Sequence, residues 1–136
     1  MNQILNIRVV AMDELLKKLR YKQGTARVMN APKEYESLIE DIGDESDKNE
    51  FMLLFSNNSQ EVREWFPKAV SGLKEDAVFW IAFPKKSSKV KTDINRDALF
   101  RLVQDISDYR AVSNVSMDEK WSALRFRHQD LVKSKK

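Results

Sequence analysis

Two uninterrupted apolar segments limit the folds that are open to this chain. The first covers residues 51–55 and the second covers residues 77–83. Neither segment alternates apolar with polar residues, so each predicts a strand that is covered on both faces. Between them, Val62, Phe66 and Val70 recur at helical spacing. Two buried strands joined by a helix are typical of an α/β domain.

The flanking segments continue this alternation of strands and helices. Apolar spacing predicts further helices within residues 12–20, 35–42 and 95–106, and further strands at 26–30, 109–116 and 120–128. We therefore predict an α/β, Rossmann-like three-layer domain over residues 1–128. It has an N-terminal helix and a mostly parallel five-stranded sheet of consecutive strands, closed by a C-terminal antiparallel hairpin strand. Residues 129–136 are predicted to form a flexible basic tail.

Composition excludes several kinds of site and location. The absence of cysteine and the single histidine exclude thiol nucleophiles, disulfides and Cys/His metal cages. Three glycines, where average usage of about 7% would give about nine or ten, leave little material for a glycine-rich phosphate loop. The longest apolar run has seven residues, against roughly 20 for a membrane span. With no signal-peptide pattern at the N-terminus, we expect a cytoplasmic protein without a membrane partner.

The charge is unevenly distributed along the chain. Residues 1–68 contain ten basic and twelve acidic residues, a balance of −2, whereas residues 69–136 contain fourteen and nine, a balance of +5. This asymmetry indicates an anionic partner for the second half. Nucleic acid is not the expected partner, because +5 is far milder than the charge of a typical DNA-binding domain.

The strongest chemical signal is the polar segment 84–93. Its candidate anion- or partner-binding residues are Lys85, Lys86, Ser87, Ser88, Lys89, Lys91 and Thr92. The segment follows a predicted parallel strand and precedes a helix, so it should lie at the carboxyl edge of the sheet, where a helix N-terminus favours anions. A small anionic ligand or an acidic protein surface would fit it. The alternative is a solvated loop whose lysines form weak ion pairs with neighbouring carboxylates.

Other candidate residues are expected at the same edge. Trp121 begins the last strand and should lie near the lysine-rich segment, where it either contacts a ligand or caps the core. Asn30 and Asn57 follow two other strands. Asp118 and Glu119 are candidate acid–base groups, with a hairpin turn as the alternative. The sequence contains no catalytic triad, nucleophile elbow or metal-ligand spacing, so we assign no catalytic residue, metal or cofactor.

Three segments carry a resemblance to known proteins, namely residues 28–32, 83–93 and 118–127. They are similar to a bacterial family of uncharacterised proteins, domain of unknown function 3052, over about residues 13–128. The closing order helix–β–β also resembles the C-terminal half of class I methyltransferases. The resemblance implies a fold and no activity. In methyltransferases a glycine-rich turn follows the first strand, but residues 30–33 contain no glycine, so S-adenosylmethionine binding in the usual mode is not expected.

These patterns together favour a non-catalytic binding or interaction module with a basic site at the carboxyl edge of the sheet. One alternative is a divergent enzyme of methyltransferase-like ancestry that does not bind S-adenosylmethionine in the usual way. A second alternative is a weak nucleic-acid binder. A homo-oligomer is also a candidate, because the edge strand at 26–30 invites pairing with another chain.

Overall fold

The computed structural model describes residues 15–21, 26–35, 49–86 and 92–130. Residues 15–18 are helical, as predicted, while most of the predicted helix at 35–42 lies outside the described residues. The remaining elements, in chain order, are β1 (Ala26–Met29), a 3-10 turn (Lys33–Tyr35), β2 (Asn49–Phe55), α1 (Ser59–Ser71), β3 (Leu73–Pro84), α2 (Arg96–Ile106), β4 (Tyr109–Ser116) and β5 (Trp121–His128).

The five strands form one mixed sheet in the order β1-β2-β3-β5-β4. β1, β2 and β3 pair in parallel, whereas β5 pairs antiparallel with both β3 and β4. The predicted Rossmann-like, mostly parallel sheet is therefore wrong. Half of the strand pairings are antiparallel, and β5 is inserted between β3 and β4 instead of following β4 at the edge.

The burial of the last two strands explains this order. In β5, Trp121, Ala123, Leu124 and Phe126 are buried, so apolar side chains leave the strand on both faces. β4 has no fully buried residue, and alternate positions along its second half are exposed. Placing β5 inside the sheet covers both of its faces, and the polar β4 then occupies the edge.

Apolar cores lie on both faces of the sheet. The first core packs α1 and α2 against the sheet and includes Phe66, Leu99 and Phe126. The second core lies on the opposite face and includes Leu19 and Trp80, together with Leu15, Leu16, Tyr35, Phe55 and Trp121. None of the helices within the described ranges has the length and apolarity needed to cross a bilayer.

Local residues set the ends of α1 and β3. The N-cap of α1 is Asn58, whose side chain accepts a hydrogen bond from the Glu61 N–H. Pro67 lies inside α1, which continues to Ser71. Because Pro67 is exposed, water can solvate the backbone carbonyl that loses its partner. β3 is longer than predicted and starts at Leu73.

Candidate functional site

Hydrogen bonds bring the predicted edge segments together at the carboxyl ends of β1, β2 and β3. The Asn30 side chain donates to the carbonyl of Phe55 at the end of β2, with an N–O distance of 2.9 Å. The Lys85 N–H donates to the carbonyl of Lys120 at 2.7 Å, next to the register pair of Pro84 and Trp121. The lysine-rich segment and the last hairpin are therefore neighbours.

Glu61 organises two of the predicted polar residues. Its Oε1 atom accepts hydrogen bonds from the Asn30 side chain at 3.0 Å and from both the backbone and the side chain of Asn57, at 2.9 and 3.0 Å. Asn30 has a φ of 56°, a left-handed conformation that asparagine tolerates better than most residues. Sequence reasoning missed Glu61, although Asn58 followed three residues later by Glu61 is the signature of a helix start.

The end of the lysine-rich segment is attached to the start of α1. The Asp93 carboxylate accepts hydrogen bonds from the Ser59 N–H at 2.8 Å and from the Ser59 hydroxyl. These bonds lower the pKa of Asp93, since they favour the charged carboxylate. The hydroxyl oxygen of Thr92 accepts a hydrogen bond from the backbone of Ile94, whose side chain belongs to the first core. Thr92 thus takes part in a local turn.

Asp118 has a comparable role in the hairpin between β4 and β5. Its Oδ1 atom accepts from the backbone N–H groups of Lys120 and Trp121, both at 2.7 Å, and its Oδ2 atom accepts from the Tyr35 hydroxyl at 2.5 Å. Burial raises the pKa of Tyr35, and the bond to Asp118 raises it further. Glu119 is exposed. The geometry places Asp118 as the anchor of the turn.

The Trp121 ring lies in the second core. It is 1% exposed, it packs edge-on against Phe55 with ring centroids 5.1 Å apart, and its indole N–H donates to Glu34 at 3.3 Å. The sequence predicted that Trp121 lies near the lysine-rich segment, and the pairing of its backbone with Pro84 places it there. Its side chain, however, caps the core and leaves no face open to a ligand.

A groove of about 490 Å³ lies on the other face of this edge, between the end of β3 and the first turn of α2. Its cationic residues are Lys85, Lys86 and Arg96. The Lys85 ammonium group donates to the Ser116 hydroxyl at 2.6 Å, whereas Lys86 is exposed. The rest of the lining consists of Phe83, Pro84, Asn95, Asp97, Asn114 and Ser122.

Four of the predicted site residues, Ser87, Ser88, Lys89 and Lys91, lie outside the described residues. The groove also contains Asn95 and Arg96, which were not predicted as site residues. Asn95 is the N-cap of α2 and accepts from the Ala98 N–H at 2.8 Å. The signal for both was the predicted start of a helix near Asn95. Within the described ranges, no group of three or more acidic or histidine side chains is arranged to hold a metal ion.

Comparison with known proteins finds a similarity in structure and none in sequence. No family model and no curated protein matches the sequence. A solved structure of Trm5 from Methanocaldococcus jannaschii, determined in complex with adenosine, superimposes with a TM-score of 0.50 and 13% sequence identity. The likeness is one of fold. It covers 85% of this chain and 47% of the Trm5 chain, so this chain corresponds to about half the length of that protein.

Proposed function

We propose that this protein is a binding module that holds a small anionic ligand in the groove between β3 and α2. The observation that carries the proposal is the convergence of Lys85, Lys86 and Arg96 on one groove of about 490 Å³. This volume is within the range of small-molecule sites, roughly 300–1,000 Å³. The acidic residue of the lining is Asp97, whose Oδ1 atom lies 3.7 Å from the Nε atom of Arg96. Because the three cations outnumber this carboxylate, the described lining keeps an excess of positive charge.

The position of α2 adds a second attraction for an anion. α2 has eleven residues, and its first turn forms one wall of the groove. Unpaired N–H groups and the positive end of the helix dipole favour negative charge at that point. In sequence, Lys86 is followed by the other predicted anion-binding residues Ser87, Ser88, Lys89 and Lys91, which lie outside the described residues.

The carboxylates of this edge support binding rather than acid–base chemistry. Glu61, Asp93 and Asp118 all accept hydrogen bonds from other parts of the fold. A carboxyl with a lowered pKa, such as Asp93, is a poor general acid at neutral pH. We therefore propose no catalytic residue. The resemblance to domain of unknown function 3052 and the cytoplasmic location stay predictions of the sequence.

A pair of matched ligands tests the proposal. Adenosine monophosphate and adenosine differ only in the phosphate group, and adenosine is the molecule bound to the structural neighbour. We expect adenosine monophosphate, inorganic phosphate or citrate to raise the thermal midpoint and to shift the amide signals of residues 85–86 and 95–97. Adenosine should have no such effect, because it lacks the anionic group that the lysines would bind.

Two double variants locate the effect. Lys86→Ala with Arg96→Ala removes two groove cations and spares Lys85, whose ammonium group is bonded within the fold. Lys74→Ala with Arg101→Ala removes two exposed cations that do not line the groove. We expect the first variant to weaken anion binding by about tenfold or more, and the second to leave it unchanged. Equal binding by both variants, or no response to any of the three anions, would contradict the proposal.

A further inference from the structure

Two buried polar atoms without a hydrogen-bond partner belong to paired residues of β4 and β5, on the face opposite the groove. They are Nε of Arg125 and Oγ of Ser113, both unpaired in the described part of the chain. The two residues are register partners on β5 and β4, so their side chains leave the sheet on the same face. A buried polar group without a partner is costly, and two adjacent ones indicate an acceptor that both can share.

The helix at residues 15–18 and the turn that follows it bring a second arginine to this place. Trp80, the register partner of Arg125 on β3, donates its indole N–H to the carbonyl of Leu19 at 2.7 Å. Arg20 follows immediately, with a φ of 67°. Arg20 lies close enough to Arg125 for its charge to affect the pKa of Arg125. Burial lowers this pKa most, and the positive charges of Arg20 and Arg127 lower it further.

Two further arginines on this face are already engaged. Arg127 forms a bidentate pair with Asp76 at 2.9–3.0 Å, and Arg110 donates to the carbonyl of Tyr109 and to Gln129, both at 3.0 Å. Neither Arg20 nor Arg125 has a carboxylate partner among the residues that the structure describes. The negative charge of Asp76 offsets part of the repulsion that Arg125 experiences from the other arginines. The guanidinium groups of Arg20 and Arg125 are nevertheless left without a paired anion among the described residues.

From this arrangement we infer a second anion site, formed by Arg20, Arg125 and Ser113, that takes the phosphate group of a monoester. The dianion of a monoester matches the two uncompensated guanidinium charges. Its oxygens would accept hydrogen bonds from the Arg125 Nε–H and the Ser113 hydroxyl, and the planar guanidinium group is suited to phosphate.

The second site shares no side chain with the groove. Ser113 precedes Asn114, which lines the groove, and consecutive residues of a strand point to opposite faces. The inference therefore does not rest on the proposed function. To keep the two sites apart, binding is measured both in the wild-type protein and in the Lys86→Ala/Arg96→Ala variant, which lacks two groove cations.

Methyl phosphate and dimethyl phosphate are the matched probes. At pH about 8, above the second phosphate pKa of about 6, the monoester is a dianion and the diester a monoanion. We expect methyl phosphate to shift the arginine Nε–Hε signal of Arg125 to saturation in both proteins, and to bind at least about tenfold more tightly than the diester. Equal affinity for the diester would contradict the monoester assignment and would favour a nucleic-acid backbone.

Single variants assign the effect to the three residues. Arg125→Gln and Arg20→Gln should each weaken methyl phosphate binding by about tenfold or more, and Ser113→Ala by about threefold, while the exposed control Arg101→Gln should change nothing. Arg20 is exposed, so Arg20→Gln tests the site even where Arg125→Gln impairs folding. A folded Arg20→Gln variant with wild-type affinity, or an Arg125 signal that does not move at high methyl phosphate, would overturn the inference.

Discussion

The carboxylate of Asp93 accepts hydrogen bonds from both the backbone N–H and the hydroxyl of Ser59. Ser59 is the first residue of α1, whereas Asp93 lies near the end of the connection between β3 and α2. One carboxylate therefore joins two connections at the carboxyl edge of the sheet and holds one end of the lysine-rich segment. The negative charge also lies at the N-terminus of α1, where it is favourable.

Replacement of Asp93 by Asn should lower stability in a pH-dependent way. The pKa of Asp93 in the folded protein lies below its usual value of 3.8. Its stabilisation is therefore fully present above about pH 4 and is lost as the pH falls through the folded-state pKa. Urea unfolding at several pH values should show a deficit for Asp93→Asn at neutral pH that shrinks toward pH 2. The exposed control Asp105→Asn should show no such trend, and a deficit independent of pH would contradict the assignment.

Replacement of Pro67 by Ala should stabilise the protein. Pro67 is exposed inside α1, where it has no N–H for the helix ladder. Alanine restores that bond without disturbing the core, and we expect a gain of up to about 3 kcal/mol in the free energy of unfolding. Chemical denaturation measures it, with Pro67→Gly as the comparison, expected to gain about 1 kcal/mol less. A loss of stability in Pro67→Ala would show that the proline is required by the fold.

Replacement of Trp121 by Ala should destabilise the protein with no ligand present. The ring is fully enclosed beside Phe55 in the second core. Removing it should cost about 3–5 kcal/mol, because burial is lost and a cavity remains. Trp121→Phe should cost less, since it keeps part of the ring packing, although it loses some buried volume and the bond to Glu34. An unchanged unfolding free energy in Trp121→Ala would indicate that the ring serves a ligand instead.

Tyr35 should titrate well above the usual phenol value of 10. Burial and the hydrogen bond to Asp118 both favour the neutral hydroxyl. Its contribution to stability is therefore present below about pH 10 and is lost as the pH rises. Phenolate absorbance of the folded protein should show a late component whose latest part, that of Tyr35, is missing in Tyr35→Phe. Asp118→Asn should move this component to lower pH, and a late component that persists in Tyr35→Phe would belong to another residue, such as Tyr109.

Local pattern was sufficient for most elements and for the faces of the strands. The apolar run at 51–55 and the longer one at 77–83 are strands, as predicted, and the alternate residues of β5 point to the two faces of the sheet. The concentration of Lys85 and Lys86 beside a helix start was also readable, because it depends only on neighbours in the chain. Hydrophobic periodicity decides such features over a few residues.

The amino-acid sequence by itself determined where strands and helices occur, which strand faces are apolar and where basic residues cluster. Only the tertiary structure decided that β5 lies between β3 and β4, that Trp121 faces the core, and that Arg20 lies near Arg125. The physical reason is that the order of the strands, and the contacts between side chains that are distant in sequence, depend on the burial of apolar surface over the whole sheet. The chain reduces its exposed apolar surface by enclosing β5, and this pairing joins residues whose separation in sequence carries no local signal.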